Sequence, residues 1–102
     1  MLAPKSSLEI LQANASDAAS LMKALGNEKR LMILCKLLDN VEMSVVPMAN
    51  AVGLSQSALS QHLARMREEQ LVDFRRDGQT LFYHVSDPNV KRIIKTLKSI
   101  FC

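Results

Sequence analysis

The side chains best suited to chemistry in this chain of 102 residues are two thiols, Cys35 and Cys102, which lie far apart in the sequence. They form neither a Cys-x-x-Cys pair nor a cluster with zinc-site spacing. Only a thiolate attacks an oxidant or a polysulfide. Lys36 adjoins Cys35, and Lys95 and Lys98 precede Cys102, so we expect the thiolates to be favoured. The alternative is that each cysteine is a small core residue, and the residues alone leave both interpretations open.

A second chemically distinct stretch begins at Gly53 and Ser55, a turn glycine followed by a residue suited to cap a helix. Large apolar residues then recur at helical spacing and define one buried face, namely Leu59, Leu63 and Met66. The opposite face is short and rich in amides and hydroxyls, without the Glu/Lys pairs of an ordinary solvated helix. Gln can pair with an adenine edge and Arg with guanine or phosphate, so this face suits the major groove of DNA.

The segment from Val45 to Val52 has the pattern of a short apolar helix that Gly53 ends. Together with the following helix it predicts a helix-turn-helix unit. The alternative is a helical hairpin that only packs a core. On the first interpretation, the expected DNA contacts from the second helix and its cap are Ser55, Gln56, Ser57, Ser60, Gln61, His62 and Arg65.

After this helix the hydrophobic period changes to that of strands. Apolar residues alternate in two short runs, Val72 and Phe74 followed by Leu81, Tyr83 and Val85. Asp77-Gly78 between the runs marks a hairpin turn. Polar residues surround the turn, and those expected to contact DNA phosphates are Arg75, Arg76 and Gln79. A solvated turn with incidental arginines is the alternative.

The remaining chain predicts three more helices around this unit. After a loose arm of residues 1–7, a helix runs from Leu8 to Leu25, and a second runs from Glu28 to Asp39. The buried stripe of the second is expected at Leu31, Leu34 and Leu38, with Cys35 at its edge. Asp87 before Pro88 begins the last helix, whose apolar stripe is wider than the outer helix of a monomer needs. That stripe and the first helix predict a subunit interface.

Composition limits the classes of function. A chain with 48% apolar residues, a formal charge of +3 and a pI near 9.1 is a folded protein whose charge fits a nucleic-acid partner. No apolar run approaches the roughly 20 residues that a membrane span needs, so we expect a cytoplasmic protein. We expect no cofactor and no enzymatic activity, since there is neither a nucleophile–base pair nor a glycine-rich phosphate loop. The predicted fold is a single domain over residues 1–102, mainly α with a small β-hairpin, in the order α-α-α-α-β-β-α.

The chain resembles the ArsR/SmtB family of winged-helix repressors over nearly its whole length. The residues that carry the resemblance are Ala24–Leu34, Leu54–Leu63, Leu71-Val72 and Leu81-Phe82-Tyr83. The resemblance implies a homodimer whose first and last helices form the interface, bound to a dyad-symmetric operator and released by an inducer. It does not extend to the metal sites of the family. The segment Met43–Pro47 has no cysteine, and Asp87 has no second ligand beside it, so no metal is expected.

The contexts Leu34-Cys35 and Phe101-Cys102 are similar to the BigR/SqrR/YgaV/HlyU branch of that family. This resemblance implies a sensor of reactive sulfur species or oxidants, in which the two thiols join directly or through added sulfur atoms and the protein leaves its operator. One alternative within the branch is a regulator of virulence genes that displaces a nucleoid protein and needs no thiol switch. An alternative of another class is a protein-interaction module that uses the stripe of the last helix.

Overall fold

The computed structural model describes residues 6–102. In chain order the elements are α1 (Ser7–Leu25), α2 (Glu28–Asn40), α3 (Val45–Val52), α4 (Gln56–Glu68), β1 (Val72–Asp77), β2 (Thr80–Val85) and α5 (Pro88–Phe101). This is the winged helix-turn-helix order that the sequence predicts. Of the predicted arm, residues 1–5 lie outside the described residues, whereas Ser6 caps α1 and Ser7 begins it.

Side-chain caps fix where the helices begin. Each capping oxygen accepts a backbone N–H of the first turn, and the capping residues are Ser6, Asn27, Ser55 and Asp87. At the turn between α3 and α4, Gly53 has a φ of 69°, in the left-handed region where glycine has no steric penalty. Two residues therefore determine the bend between α3 and α4: Gly53, which ends α3, and Ser55, which caps α4.

Helix α2 lies at the centre of the core and contacts α3, α5 and β2. Its side chains Ile33, Leu34 and Leu37 are completely buried. The prediction that Leu31, Leu34 and Leu38 form the buried stripe is therefore wrong at its two ends, since Leu31 and Leu38 are only partly buried. Contacts on more than one side of α2 move the centre of the buried face to Ile33 and Leu37.

The hairpin is attached to the helical core by a backbone bridge. Strands β1 and β2 pair from Val72↔Val85 to Asp77↔Thr80, which leaves a two-residue turn with Gly78 at a φ of 62°. The N–H of Met43 donates to the carbonyl of Tyr83 at 3.0 Å, and the N–H of Tyr83 donates to that of Met43 at 2.8 Å. The segment before α3 thus extends the hairpin and ties its position to the helix-turn-helix unit.

Helix α1 is largely unpacked in a single chain. Of its residues only Leu25 is buried, and Leu8 and Met22 are each 64% exposed. At the end of α5, Ile100 and Phe101 are 65% and 80% exposed. The Cα radius of gyration is 16.2 Å, whereas a compact chain of this length has about 13 Å, because α1 projects from the core. Across residues 6–102, no helix combines the length and apolarity that a membrane crossing requires.

Candidate nucleic-acid interface and dithiol pocket

The outer face of α4 is exposed because the inner face supplies three fully buried anchors, Leu59, Leu63 and Met66. The sequence-predicted contacts that the structure leaves exposed on this helix and its cap are Ser55, Gln56, Ser57, Ser60, Gln61 and Arg65. His62 is partly buried. A shallow depression of about 120 Å³ is lined by Ala58, Gln61, His62 and Arg65. The structure therefore groups Gln61, His62 and Arg65 around one depression. Contact of all these residues with DNA stays a prediction.

The two arginines on the outer side of α4 differ in their partners. Arg67 pairs with Asp73, Nε to Oδ1 at 3.1 Å, and its guanidinium carbon lies 4.1 Å from the centre of the Phe74 ring. Arg67 thereby joins α4 to β1, which the sequence pattern did not reveal. Arg65 has no ion pair within residues 6–102. Arg65 is therefore a cation that α4 presents to solvent without an ion-pair partner among the described residues.

The wing arginines also divide into a structural and an exposed member. Arg75 holds Glu42 in a fork, with Nε to Oε2 at 2.9 Å and Nη2 to Oε1 at 2.6 Å, and lies 4.6 Å from the Phe82 ring. The hydrogen bonds that Arg75 donates to Glu42 lower the pKa of Glu42 and raise the pKa of Arg75. Glu42 lies just before Met43, so this pair holds the wing against the loop before α3. Arg76 and Gln79 stay exposed near the hairpin tip.

The fold brings the two cysteines to one pocket. A cavity of about 230 Å³ lies between α2 and α5, and its solvent-facing lining is apolar. Its residues are Leu31, Cys35, Leu97, Lys98, Phe101 and Cys102. Both thiols are free, Cys35 partly buried and Cys102 exposed. Cys35 and Cys102 are far apart in the sequence, and the contact of α2 with α5 brings them to the same pocket.

Burial controls the acidity of Cys35. Desolvation raises the pKa of this thiol, nearby Lys98 lowers it, and Cys102 and Asp39 raise it further. Lys98 is ion-paired with Asp39 across the α2–α5 contact, so the negative charge of Asp39 partly offsets the effect of Lys98 on Cys35. The expectation that neighbouring lysines make Cys35 a favoured thiolate is therefore wrong, because desolvation outweighs them and Lys36 makes no notable contribution.

The candidate metal-binding side chains are distributed across the described residues. Within residues 6–102, no three His, Cys, Asp or Glu side chains are grouped as a metal site would require. Asp87, the one family metal position that the sequence retains, accepts the N–H of Asn89 at 2.8 Å and caps α5. Its carboxylate therefore has a structural role.

We expect charge changes at Asp39 and Lys98 to move Cys35 reactivity in opposite directions. In a Cys102→Ser background, Asp39→Asn removes a negative charge and frees Lys98, so the pKa of Cys35 falls and alkylation by iodoacetamide near neutral pH becomes faster. Lys98→Gln removes the only lowering charge, so the pKa rises and alkylation becomes slower. Rates are followed by mass spectrometry.

Asp17→Asn, on the exposed part of α1, is the matched control and leaves the rate unchanged. Both pocket variants break the same ion pair. Rates that change in the same direction in both would therefore show that packing, and not charge, governs Cys35.

Comparison with known proteins places this arrangement in a family. A family model for bacterial regulatory proteins of the arsR family matches residues 27–73. The chain is 47% identical over 95 residues to the transcriptional activator HlyU of Vibrio cholerae, covering 93% of this chain and 87% of HlyU. It is 48% identical over 92 residues to the HTH-type transcriptional regulator YgaV of Escherichia coli, covering 90% of this chain and 93% of YgaV.

Solved structures agree with the sequence comparison. Reduced HlyU from V. cholerae has a TM-score of 0.84, with 92% of this chain and 98% of that chain covered at 47% identity. The transcriptional repressor BigR from Xylella fastidiosa has a TM-score of 0.86, with 95% of this chain and 98% of that chain covered at 32% identity. These proteins are transcriptional regulators and not enzymes. The chain therefore belongs to the ArsR family of DNA-binding bacterial regulatory proteins, in the branch that includes HlyU, YgaV and BigR.

Proposed function

We propose that the chain is a cytoplasmic, homodimeric transcriptional repressor that binds a palindromic operator while Cys35 and Cys102 are thiols. Reactive sulfur species or oxidants then join the two cysteines of one subunit, and the protein releases its DNA. The observation that carries this proposal is the shared pocket of the two thiols between α2 and α5. One related structure is that of reduced HlyU, which is consistent with a redox-dependent form in this branch.

The exposed surfaces support the proposed mode of DNA binding. With α4 in the major groove, Ser57 and Gln61 face base edges, and Arg65, at the border of that face, reaches a phosphate. The N-cap Ser55 and the first helical residue Gln56 lie at the groove entrance. Ser60 and His62 complete that side of the helix. Arg76 and Gln79 at the wing contact phosphates. Arg75 supports the wing through Glu42 and contacts DNA only at its edge, since its guanidinium already has a carboxylate partner.

The homodimer is supported by the apolar faces that one chain leaves uncovered. These faces belong to α1 and the end of α5, where Leu8, Leu11, Ile100 and Phe101 are all more than half exposed. Exposed apolar area of this kind marks an interaction surface. A two-fold pairing of α1 and α5 covers it and presents two copies of α4 to the two halves of a palindrome.

The proposed oxidation takes two electrons from the thiol pair. One thiolate takes a sulfur atom from a persulfide or polysulfide, whose own thiolate leaves, and so becomes a persulfide. The second thiolate attacks the inner sulfur of that persulfide, a disulfide bond forms, and hydrosulfide leaves. When the first cysteine carries two added sulfur atoms, the second thiolate attacks the sulfur next to the terminal one, a trisulfide bridge forms, and hydrosulfide again leaves. With peroxide, the intermediate is a sulfenic acid and water leaves.

The path from the pocket to the reading helix runs through packed helices. A bridge between Cys35 and Cys102 pulls α5 against α2, and α2 contacts α3, which contacts α4. Since interiors are close-packed, a shift of α2 is passed to its neighbours. In a dimer held by α1 and α5, the same shift changes the distance between the two α4 helices. A coupling of about 1–3 kcal/mol is enough to release DNA.

A second candidate function also requires DNA binding, but it activates transcription where the first represses it. HlyU of V. cholerae is a transcriptional activator, whereas BigR is a repressor. On this second proposal the chain activates transcription by displacing a nucleoid protein from a promoter, and it needs no thiol switch. Transcription in vitro separates the two candidates. The repressor lowers transcript from naked template, whereas the displacing activator raises transcript only when the nucleoid protein is present.

We expect Gln61→Ala and Arg76→Ala to weaken DNA binding in different ways. Loss of a bidentate base contact at Gln61 costs about 1–3 kcal/mol on a duplex selected by the protein and relaxes the sequence preference. Loss of a phosphate contact at Arg76 weakens binding to all sequences and flattens its salt dependence. Fluorescence anisotropy over a salt series measures both. Equal losses on selected and random duplexes for both variants would contradict this assignment.

We expect Cys35→Ser and Cys102→Ser to bind the selected duplex as the reduced wild type does, since serine changes neither α4 nor the wing. Polysulfide releases the wild type and leaves each variant bound, because one thiol cannot close the bridge. Intact mass and anisotropy are measured on the same samples, with peroxide as a parallel treatment. Release that survives in both single variants would contradict the switch, and added sulfur in the wild-type bridge identifies reactive sulfur as the signal.

A further inference from the structure

Beside the recognition helix lies a groove that the sequence analysis did not identify. It has a volume of about 600 Å³ and separates the end of α1 from α4. We call it the α1–α4 groove and define it by the residues Ser20, Lys23, Arg30, His62, Arg65 and Glu69. Because His62 and Arg65 also line the depression around Gln61, the groove is continuous with the proposed base-reading face.

One ion pair sets the shape and the charge of this groove. Arg30, whose side chain is only 12% exposed, pairs with Glu69 at 2.6 Å and donates from the same Nη1 to the carbonyl of Ala24 at 3.1 Å. It thereby joins the end of α1 to the residue that ends α4. The pair also neutralises the only carboxylate of the groove. Lys23 and Arg65, which have no ion pair in residues 6–102, remain as its exposed cations.

We propose that the α1–α4 groove binds a backbone phosphate of the DNA duplex, with Lys23 and Arg65 as the charged contacts and the Ser20 hydroxyl as a donor. An α-helix fills the major groove, about 12 Å wide, so side chains beside the helix face the phosphate strands that border it. Lys23 lies beside α4 in this sense, on a different helix. The inference rests on the proposed placement of α4 in the major groove. It adds a contact from α1, the helix proposed to form the dimer interface.

A phosphate contact at Lys23 positions the helix of the proposed dimer interface relative to the DNA backbone. Phosphate contacts fix position and orientation without reading sequence. A phosphate held between α1 and α4 fixes α4 relative to the interface helix, and Arg30, bonded to both Ala24 and Glu69, links the two sides of the groove. The expected signature is therefore an effect of Lys23 that is independent of sequence and dependent on salt.

The test uses the full-length reduced protein and Lys23→Gln. We expect the variant to bind selected and random duplexes more weakly by the same factor, several-fold near 0.1 M salt. The slope of log affinity against log salt becomes shallower by about 0.9 for each bound subunit. Lys23→Arg retains the wild-type slope. Lys95→Gln, an exposed lysine on α5 without an ion pair in the described residues, is the matched control and changes nothing.

Duplexes with a single neutral methylphosphonate linkage then locate the contact. One linkage in each half-site weakens the wild type and has no further effect on Lys23→Gln. An unchanged affinity and slope for Lys23→Gln would overturn the proposal. So would stabilisation by inorganic phosphate that needs Lys23 while the DNA slope stays at the wild-type value, since the groove would then hold a free anion. If Gln61→Ala also has no effect on DNA binding, the placement of α4 itself fails.

Discussion

The structure depends on the packing of α2, whose Ile33, Leu34 and Leu37 are fully buried among α3, α5 and β2. This one helix supports the helix-turn-helix unit on one side and carries Cys35 toward α5 on another. Burying such side chains contributes about 1.5–3 kcal/mol each, so α2 cannot move alone without losing a large part of the net stability. A displacement of α2 is therefore transmitted to α3, α5 and β2, which it contacts.

The local part of this architecture could be predicted from sequence. The caps at Ser55 and Asp87, the left-handed turn at Gly53 and the hairpin at Asp77-Gly78 are each determined by a few neighbouring residues, and the structure has them where the pattern indicates. The predicted buried face of α2 is wrong at its ends because hydrophobic periodicity assumes that a helix packs on one partner, whereas α2 packs on several elements. The backbone bridge between Met43 and Tyr83 could not be predicted from the sequence, since a single residue pair leaves no periodic pattern.

Charged side chains were the least predictable part of the candidate site. The sequence predicts that Arg75 contacts DNA and that lysines lie near the thiols, but it does not predict the ion pairs that these side chains make. Arg75 pairs with Glu42, and Lys98, which lines the cysteine pocket, pairs with Asp39. Both partners are distant in sequence, so only the fold reveals them. The same holds for Arg30, which joins α1 to α4 through Glu69. These pairs divide the arginines and lysines into those that hold elements together and those, such as Arg65 and Arg76, that remain exposed to a polyanion.

The proposed DNA-reading surface on α4 and the wing is separate from the proposed sensing pocket between α2 and α5, and we propose that a bridge across the pocket weakens DNA binding. The most direct measurement is the DNA affinity of purified protein in which peptide mapping shows a bridge between Cys35 and Cys102 of one subunit. The reduced protein is compared with it on the same duplex at the same salt. We expect the bridged form to bind about 5- to 150-fold more weakly and a reducing agent to restore its affinity. Equal affinity of the bridged and reduced forms would contradict this proposal.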